Sequence, residues 1–545
     1  MTVAYVRQLG AEAGVQLNPL RDASEIPVQD NYDQIIGIMM RATRGRIDKP
    51  FKVHSGNVYR KLGRGEPIRV NALNEAWVHV VEAVNNGAYE IVVQRLTTTS
   101  AVIKYAALDG FTATTPAPVF TAEATIPATY NMLIKHLECF NDGIKVEIHA
   151  DEVKVGGVAQ ATKIITLRLR DKDGYMLYEF TGSLDPLAVN DYGVSNYLPE
   201  VIAAQTDAVE VEISALWTEV KPGDPGYGYD VNGRQAWLVS QLLNCFDEGG
   251  FAYSVQDYQT ARQKLEVTPY NYAYISSGGS QSPAMLYQLA QLAFDTNRML
   301  RFDVPGSLTP EGAIAFCEQL NMGASPTAHL MHQFWCPLKC DDPTGINGKG
   351  YYGVATLNSA MACLRNADRN AKGFARKHFV VAGKHWPIRR TGIKQMYDCS
   401  NQEFNELARN QINPVVHDQF SGGGRYVFRD SLTAAKVESS LIKLISVADM
   451  STSIDDAVTR YGKDVLQLPM NVAVRRMKDF LESLFEGAEA SDWLEPSSDP
   501  TMKGKSYRYE VYPNEVRPYD RMDVNYWVRY TGTVRQIFVT QTLSK

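Results

Sequence analysis

The sequence lacks the features that mark several large classes of protein. No stretch approaches the roughly 20 consecutive apolar residues that a membrane-spanning helix needs. The N-terminus lacks the charged, apolar and small-residue regions of a secretory signal. The net charge is −6 at pH 7, so the chain has no general basic field of the kind that nucleic-acid-binding proteins use. We therefore predict a chain that is made in a cytoplasm, does not insert into membranes and does not bind nucleic acid directly. Its one basic stretch, Lys372–Lys394, is expected to pair with a neighbouring subunit or to lie in solvent.

Cysteine is scarce, with seven cysteines spread over 545 residues. An odd, dispersed set in a chain without a secretory signal indicates reduced thiols, mostly buried as small apolar groups. The proportions of hydrophobic (45%) and charged (21%) residues are those of an ordinary globular protein, and the length allows three or four domains.

The sequence also lacks a complete catalytic or metal-binding motif. The best metal candidate is the set His329, His332, Cys336 and Cys340, whose spacing matches no standard zinc pattern. Gly345–Gly350 lacks the spacing and the Ser/Thr of a phosphate loop, and Ser276–Ser280 lacks a nucleophile elbow and identifiable His/Asp partners. We expect no metal, no cofactor and no catalytic residue.

The two ends of the chain are its most informative segments. Residues 522–545 alternate β-favouring and polar side chains with a period of two, which predicts a strand. The N-terminus opens with the short β-favouring run MTVAYVRQL, and neither end has a strand partner nearby in sequence. Because an unpaired edge is prone to aggregate unless something covers it, we predict that both ends add strands to sheets of neighbouring copies. The predicted linking residues are Val3, Tyr5, Val6, Tyr526, Val528, Tyr530, Val534 and Phe538.

The first part of the chain predicts a compact α/β unit. Ile35–Gly45 is expected to form a buried strand and a glycine turn, Asn71–Val84 an amphipathic helix, and Glu90–Leu96 a second strand. From residue 114 to 204 the sequence is β-rich instead. Ile164–Gly182 has the turn chemistry of a hairpin. We predict a β-rich module inserted into the preceding unit, and its simplest role is surface decoration.

Strands and helices alternate from Trp217 to about Ile393, which predicts a doubly wound sheet. The Gly/Pro-rich run Lys221–Asp230 is expected to form a boundary loop. The predicted elements are strands Asn271–Ser276, Met299–Val304 and Leu330–Trp335, each followed by a helix, at Pro283–Phe294, Pro310–Leu320 and Val354–Ala367.

Two helices are predicted in the last third of the chain. One is expected from about Thr433 to Val447, and the other from Pro469 to Glu486, closed by Gly487. At 100° per residue the second helix is expected to carry one apolar face, made of Ala473, Met477, Phe480, Leu481 and Leu484. The second helix carries basic residues near its N-terminus and acidic ones near its C-terminus, against the helix dipole. A local rule broken in this way often marks a functional surface. We therefore predict that a charged face meets a partner, the alternative being a solvated face. Its residues are Arg475, Arg476, Lys478, Asp479 and Glu482.

In the segment LARNQINPVV…GGGRYVFRDSLT (Leu407–Thr433), a helix ends in Ile412-Asn413 and a glycine-led strand with an aromatic follows. This segment, with others in the same order along the chain, resembles contractile tail sheath proteins of phages and phage-like injection devices. The family's Trp-Gly and Arg-Thr pairs are replaced here by Phe428-Arg429 and Asp430-Ser431. Residues 114–204 show no match. Other segments that resemble the family in order are Ile35–Gly63, Met299–Phe316, Phe334–Gly345, the helix at Val354 with the Gly373 that follows it, and Met470–Phe485.

The resemblance implies a structural subunit rather than an enzyme. It implies stacked rings around a tail tube that are stored extended and contract on a baseplate signal, driving the tube through the host envelope for genome ejection without a cofactor. The implied partners are further copies of the chain, the tail tube protein, and baseplate and tail terminator proteins. The implied location is the virion tail, assembled in the bacterial cytoplasm. Both terminal arms would add strands to a neighbour's C-terminal domain, and the helix at 470–486 would face the tube.

The expected fold is a mixed α+β and α/β multidomain protein. An α/β sheath core would carry a β-rich inserted outer domain and a C-terminal α/β domain completed by exchanged strands. The alternative interpretation is a soluble α/β enzyme with a small-molecule site on the sheet at 271–367. The expected segments are an N-terminal arm (1–27), an α/β unit (28–113), the inserted domain (114–204), a doubly wound domain (205–395), a C-terminal tube-facing domain (396–521) and a C-terminal strand arm (522–545).

Overall fold

The computed structural model describes residues 31–111 and 118–542. The strands of these residues are β1 (Ile35–Met40), β2 (Phe51–Val53), β3 (Glu90–Arg95), β4 (Val102–Ile103), β5 (Tyr105–Asp109), β6 (Val119–Glu123), β7 (Met132–His136), β8 (Ile144–His149), β9 (Val153–Val155), β10 (Val158–Gln160), β11 (Ile164–Asp171), β12 (Met176–Ser183), β13 (Val209–Ile213), β14 (Leu238–Val239), β15 (Phe246–Asp247), β16 (Tyr274–Ser276), β17 (Met299–Val304), β18 (Met331–Trp335), β19 (Leu338–Cys340), β20 (Gly350–Tyr351), β21 (Lys394–Gln395), β22 (Ile412–Phe420), β23 (Gly423–Phe428), β24 (Tyr507–Pro513) and β25 (Met522–Val528). The α-helices are α1 (Val58–Leu62), α2 (Glu75–Asn85), α3 (Leu198–Gln205), α4 (Val255–Glu266), α5 (Pro283–Thr296), α6 (Pro310–Leu320), α7 (Ala355–Ala367), α8 (Asn401–Arg409), α9 (Ile445–Asp464) and α10 (Met470–Glu489).

Eight strands form one central sheet in the order β2-β3-β1-β16-β17-β18-β22-β23. The inner strands are parallel, and β2 and β23 close the two edges in antiparallel fashion. Parallel strands covered on both faces are almost continuously apolar, and β1 and β17 are accordingly buried at every position. Strand pairs such as Ile36 with Tyr274 and Gln333 with Ile412 cross the boundaries predicted at 113, 204 and 395. Those boundaries are therefore wrong as divisions between independent domains.

Two pairs of helices pack on this sheet, α2 with α7 and α4 with α5. Helices α5 and α6 begin with a proline in the first turn, where the missing N–H costs no hydrogen bond. They end at Asn297 and Asn321, which adopt the left-handed conformation of a helix C-cap. The strand–helix alternation predicted over 271–367 is confirmed by these elements.

Strands β4 to β15 form a β-rich module between residues 102 and 247. Its two four-stranded sheets, β12-β11-β8-β14 and β13-β7-β5-β6, enclose a hydrophobic core that runs from Ala106 to Cys245. The hairpin predicted at Ile164–Gly182 is confirmed as β11 and β12. The predicted boundaries at 114 and 204 are wrong, because β4, β5, β13, β14 and β15 belong to the module. The predicted boundary loop Lys221–Asp230 lies inside the module, where Tyr227 pairs with Ala150.

The chain enters and leaves the module through a two-stranded ribbon. Val102 pairs with Asp247 and Ile103 with Phe246, antiparallel. We call this ribbon, β4 with β15, the neck.

Residues 433–440 form a loop and Leu441–Lys443 a single 3-10 turn in place of the predicted helix, and α9 begins at Ile445. The buried Thr433 hydroxyl donates a 2.8 Å hydrogen bond to the carbonyl oxygen of Ile442, and Leu432 pairs with Leu444. Side-chain bonds of this kind satisfy backbone groups in a non-helical conformation and so compete with helix formation.

Six of the seven cysteines are buried and Cys399 is half-buried, and all are free thiols, as the sequence predicted. No helix among the described residues combines the length and apolar character needed to cross a bilayer.

Candidate assembly surfaces

The last 100 residues of the chain bring the predicted linking strand and the predicted charged helix together. Helices α9 and α10 pack against each other, and β24 pairs with β25 in an antiparallel hairpin that lies on them. One apolar core joins the four elements, with Met450, Leu481 and Phe485 fully buried in it. We call residues 444–530 the C-terminal unit.

A polar stripe on α9 attaches this unit to the central sheet. The buried carboxylate of Asp449 accepts a 2.8 Å hydrogen bond from the Tyr274 hydroxyl and lies 3.1 Å from the Lys377 ammonium. Arg365 of α7 forms a further ion pair with the same carboxylate. Burial alone would raise the pKa of Asp449, but Lys377 and Arg365 outweigh it and hold that pKa below its usual range.

The same stripe continues along α9 toward the start of β17. Asp456 pairs with Arg298 at 2.5 Å, and Asp455 accepts a 3.2 Å hydrogen bond from Asn297. Asp455 also accepts a hydrogen bond from the Tyr526 hydroxyl of β25. Helix α9 thus contacts the central sheet, the loop between α5 and β17, and strand β25.

The predicted apolar face of α10 is confirmed for Ala473, Met477 and Leu481, which are buried, whereas Phe480 and Leu484 are half-buried. Phe485 is buried as well, which the sequence analysis missed. The predicted stop at Gly487 is wrong, because the helix continues to Glu489.

Gly487 is required by packing rather than by a turn. A Cβ atom there would lie 2.7 Å from the ring of Phe374. That ring stands edge-on to Trp493, with ring centroids 5.0 Å apart, so it has little room to move.

Four of the five residues predicted for the charged face are exposed on α10, namely Arg475, Arg476, Lys478 and Asp479. Glu482 instead holds the hairpin, because its carboxylate accepts hydrogen bonds from Tyr507 (3.0 Å) and Tyr509 (2.6 Å). Burial and this carboxylate together raise the pKa of Tyr509 to about 12.

The first half of the predicted C-terminal arm pairs within its own chain. The prediction that 522–545 has no partner nearby in sequence is wrong for β25, which pairs with β24 from Met522 to Val528. Tyr526, Val528 and Tyr530 pack half-buried against the core of the C-terminal unit. The alternation of Tyr507, Tyr509 and Val511 was a strand signal that could have identified this partner.

Beyond Tyr530 the chain leaves this core as an extended segment, residues 531–542, which we call the C-terminal extension. Its predicted linking residues Val534 and Phe538 are 78% and 90% exposed, as are Ile537 (79%) and Val539 (88%). Arg535 anchors the segment through an ion pair with Asp430. The N-terminal linking residues Val3, Tyr5 and Val6 lie outside the described residues.

A groove lies beside β24. Its lining includes Glu482 of α10, Met502, Lys503, Lys505, Tyr507 and Tyr509. In the described part of the chain the hairpin has two strands, so one edge of β24 has no partner strand.

The carboxyl edge of the central sheet, where an α/β enzyme would place its site, is filled by the chain itself. The buried Asp303 carboxylate at the end of β17 accepts hydrogen bonds from the backbone N–H groups of Val354 (2.6 Å) and Ala355 (2.9 Å) at the start of α7. The Ser277 hydroxyl lies 3.4 Å from the same carboxylate. This edge is therefore built as a helix cap.

The metal candidate predicted between His329 and Cys340 does not bring metal-binding groups together. His332 is buried, its ring nitrogen facing the carbonyl oxygen of His329, and burial lowers its pKa to about 3. Within residues 31–111 and 118–542 no cluster of three His, Cys, Asp or Glu could hold a metal ion.

The prediction that Lys372–Lys394 pairs with a neighbour or solvent is wrong for Lys377, which pairs with Asp449, and for Arg390, which pairs with Glu82 at 2.7 Å.

Comparison with known proteins gives structural likeness only. No protein-family model and no curated protein matches the chain. The sheath tail protein of Desulfitobacterium hafniense is 12% identical with a TM-score of 0.48, over 95% of this chain and 100% of that one. The sheath tail protein of Listeria innocua is 11% identical with a TM-score of 0.49, over 90% and 94% of the two chains. The sheath of an extracellular contractile injection system in its contracted state is 13% identical with a TM-score of 0.40, over 54% and 82%.

Proposed function

We propose that this chain is a structural subunit of a contractile tail sheath. It polymerises as stacked rings around a tail tube, and the rings contract to drive the tube through a host envelope for genome ejection. Baseplate and tail terminator proteins cap the polymer at its two ends. The collinear motifs of the sequence resemblance support this proposal, and the residues of the C-terminal unit give it a physical basis.

The observation that carries the proposal is the C-terminal extension. Four large apolar side chains lie within six residues, and all four are more than three-quarters exposed. Exposed apolar groups concentrated in this way mark interaction sites. Arg535 pairs with Asp430, which lies outside the C-terminal unit.

The acceptor that we propose is the groove beside β24 in a neighbouring copy. Residues 534–540 supply seven residues of alternating character, which equals the length of β24. A strand added at this edge would satisfy the main-chain groups of both segments and bury side chains on its two faces. The N-terminal arm is proposed to add a further strand in the same manner.

The exposed charges of α10 are proposed to face the tube. Arg475, Arg476, Lys478 and Asp479 lie on the surface opposite the buried stripe. An exposed charged face can steer docking and set register without apolar contact. Contraction itself needs no cofactor, because a subunit stored in a less favourable packing releases free energy when a better interface forms.

Electron microscopy of the purified full chain tests the proposal, with rings or long tubes expected. Phe538→Lys should abolish them, because the introduced cation would meet Lys503 and Lys505, which line the acceptor groove. Gln541→Lys changes an exposed polar residue of the same extension by the same charge and should leave assembly intact. Tubes formed equally by both variants would show that the extension does not link subunits, and dispersed wild-type monomers would favour the enzyme interpretation.

A further inference from the structure

The β-rich module meets the central sheet across a surface on which charge is sorted by sign. Within residues 31–111 and 118–542, every ion pair that crosses this boundary has its cation outside the module and its carboxylate inside it. The cations are Arg44, Arg46, Lys49, Lys61 and Arg64. The carboxylates are those of Glu138, Asp142, Asp171, Asp173 and Asp207. We call these ten residues the charge seam.

The centre of the seam is buried and its rim is exposed. Arg44 is 5% exposed and lies 2.6 Å from Asp142 and 3.2 Å from Asp171. At the rim, Arg46 lies 2.7 Å from Asp207, whose side chain is 67% exposed. The centre therefore fixes the docked geometry, because a buried ion left without its partner is costly.

Aromatic contacts across the seam follow the same polarity. The Arg44 guanidinium lies 4.3 Å from the ring centroid of Phe140, and Arg60 lies 5.5 Å from that of Tyr178. In both, the cation comes from outside the module and the ring from inside it. Two backbone hydrogen bonds also cross the boundary, from Gly45 N–H to the Glu138 carbonyl oxygen (2.7 Å) and from Asn141 N–H to the Thr43 carbonyl oxygen (2.9 Å). The buried Arg95 of β3 donates further hydrogen bonds to the Cys139 carbonyl oxygen and to Asn141 Oδ1.

The module has what it needs to fold without the seam. Its hydrophobic core is drawn entirely from its own residues, between Ala106 and Cys245. Its only covalent connections run through the neck, which brings entry and exit of the chain side by side, as in inserted domains that fold alone.

From these observations we propose that the β-rich module is a separately folded body, hinged on the neck and clasped to the central sheet by the charge seam, so that it undocks as a unit. Two apolar surfaces that slide past each other would lose their buried area gradually. Ion pairs instead fix one relative position of the module and the central sheet, and they break together when the module moves away. Sorting by sign also keeps two modules from pairing through their acidic faces, since like charges repel. This inference does not depend on the proposed function.

Amide hydrogen exchange on the full chain provides the test, because Gly45 and Asn141 donate the two backbone hydrogen bonds across the seam. The variant is Asp173→Lys with Asp207→Lys, two rim positions whose reversal opposes Arg64, Arg46 and Lys49. Exchange at Gly45 and Asn141 should accelerate at least tenfold. Exchange at Val146 and Leu167, buried inside the module, should not change.

Asp191→Lys with Glu200→Lys is the matched control, because both residues are exposed elsewhere on the module and the change in net charge is the same. The control should exchange like the wild type at all four positions. Unchanged exchange at Gly45 and Asn141 in the seam variant would overturn the clasp, and equal acceleration inside the module would overturn its independence. If the reversal variant does not fold, Asp173→Asn with Asp207→Asn gives the same test, with at least a threefold acceleration expected at the seam.

Discussion

The carboxylate of Asp449 lies 3.1 Å from the ammonium of Lys377, and the two side chains are 0% and 2% exposed. This contact, with Arg365, fixes α9 to the central sheet by charge. Asp449→Asn would remove the nearest counter-charge of two buried cations, leaving Lys377 with Asp33 at 4.0 Å. We expect the free energy of unfolding to fall by about 3–5 kcal/mol, measured by urea denaturation. The exposed Asp479→Asn should change it by less than about 0.5 kcal/mol, and equal effects of both substitutions would contradict the account.

Two helical glycines should respond oppositely to alanine. Gly487→Ala places a methyl group 2.7 Å from the pinned Phe374 ring, so we expect a loss of about 1–3 kcal/mol from overpacking. At Gly462 of α9 the nearest atom to the new methyl group is the Met477 methyl at 4.0 Å. Gly462→Ala should therefore stabilise by up to about 1 kcal/mol through helix propensity. Thermal unfolding of the two variants checks the difference in sign.

Stability should depend on pH through His79 of α2. Burial alone lowers the pKa of His79, but Glu75 at 2.9 Å and Glu82 at 3.9 Å outweigh burial and raise that pKa from 6.5 to about 9. The charged form of His79 is favoured in the folded state. Its contribution to the free energy of unfolding is therefore complete below pH 6.5 and is lost as the pH rises to 9. The expected loss is about 3 kcal/mol at most.

His79→Gln should flatten this part of the stability curve, followed by denaturation at pH 6 to 9. The exposed His54→Gln is the control and should keep the wild-type slope. If the stability of His79→Gln still fell by the wild-type amount between pH 6 and 9, the pH dependence would come from groups other than His79.

The length of a C-terminal truncation should decide whether the fold survives. Among the described residues, removing 532–545 deletes exposed side chains and the half-buried Thr533, so the free energy of unfolding should stay within about 1 kcal/mol of the wild type while polymerisation is lost. Removing 522–545 deletes β25 and with it the half-buried Tyr526 and Val528, each of which contributes part of the about 1.5–3 kcal/mol of a fully buried side chain. We expect that variant to lose several kcal/mol, as measured by urea denaturation. Normal polymerisation of the shorter truncation would show that strand exchange is the wrong mechanism.

Charge reversal on α10 should separate docking from folding. Arg475→Glu with Arg476→Glu alters two exposed side chains, so stability should change by less than about 1 kcal/mol. Co-sedimentation with tail tubes should be lost. Arg234→Glu, an exposed substitution on the β-rich module, should leave co-sedimentation unchanged. Tube binding that survives the double reversal would remove α10 from the tube interface.

Regular periodicity predicted many elements correctly, because local burial decides them. The apolar runs of β1 and β17 and the stripe of Ala473, Met477 and Leu481 on α10 follow directly from side chains that must leave water. Residues 433–444 were wrongly predicted to form a helix, because their apolar spacing is compatible with one. The hydrogen bond that the buried Thr433 hydroxyl donates to the Ile442 carbonyl oxygen competes with that helix. Glu482 was assigned to the charged face because its position on the helix is known from sequence, whereas its tyrosine partners on β24 are not.

The sequence by itself determined the parallel core strands, the amphipathic α10 and the extreme apolar character of the C-terminal extension, because each depends on neighbours along the chain. Only the tertiary structure decided that β25 pairs with β24, that three stretches of chain share one sheet and that charge is sorted by sign between Arg44 and Asp142. These depend on which distant segments meet. Pairing energies between them are set by geometry in three dimensions, which local spacing does not encode.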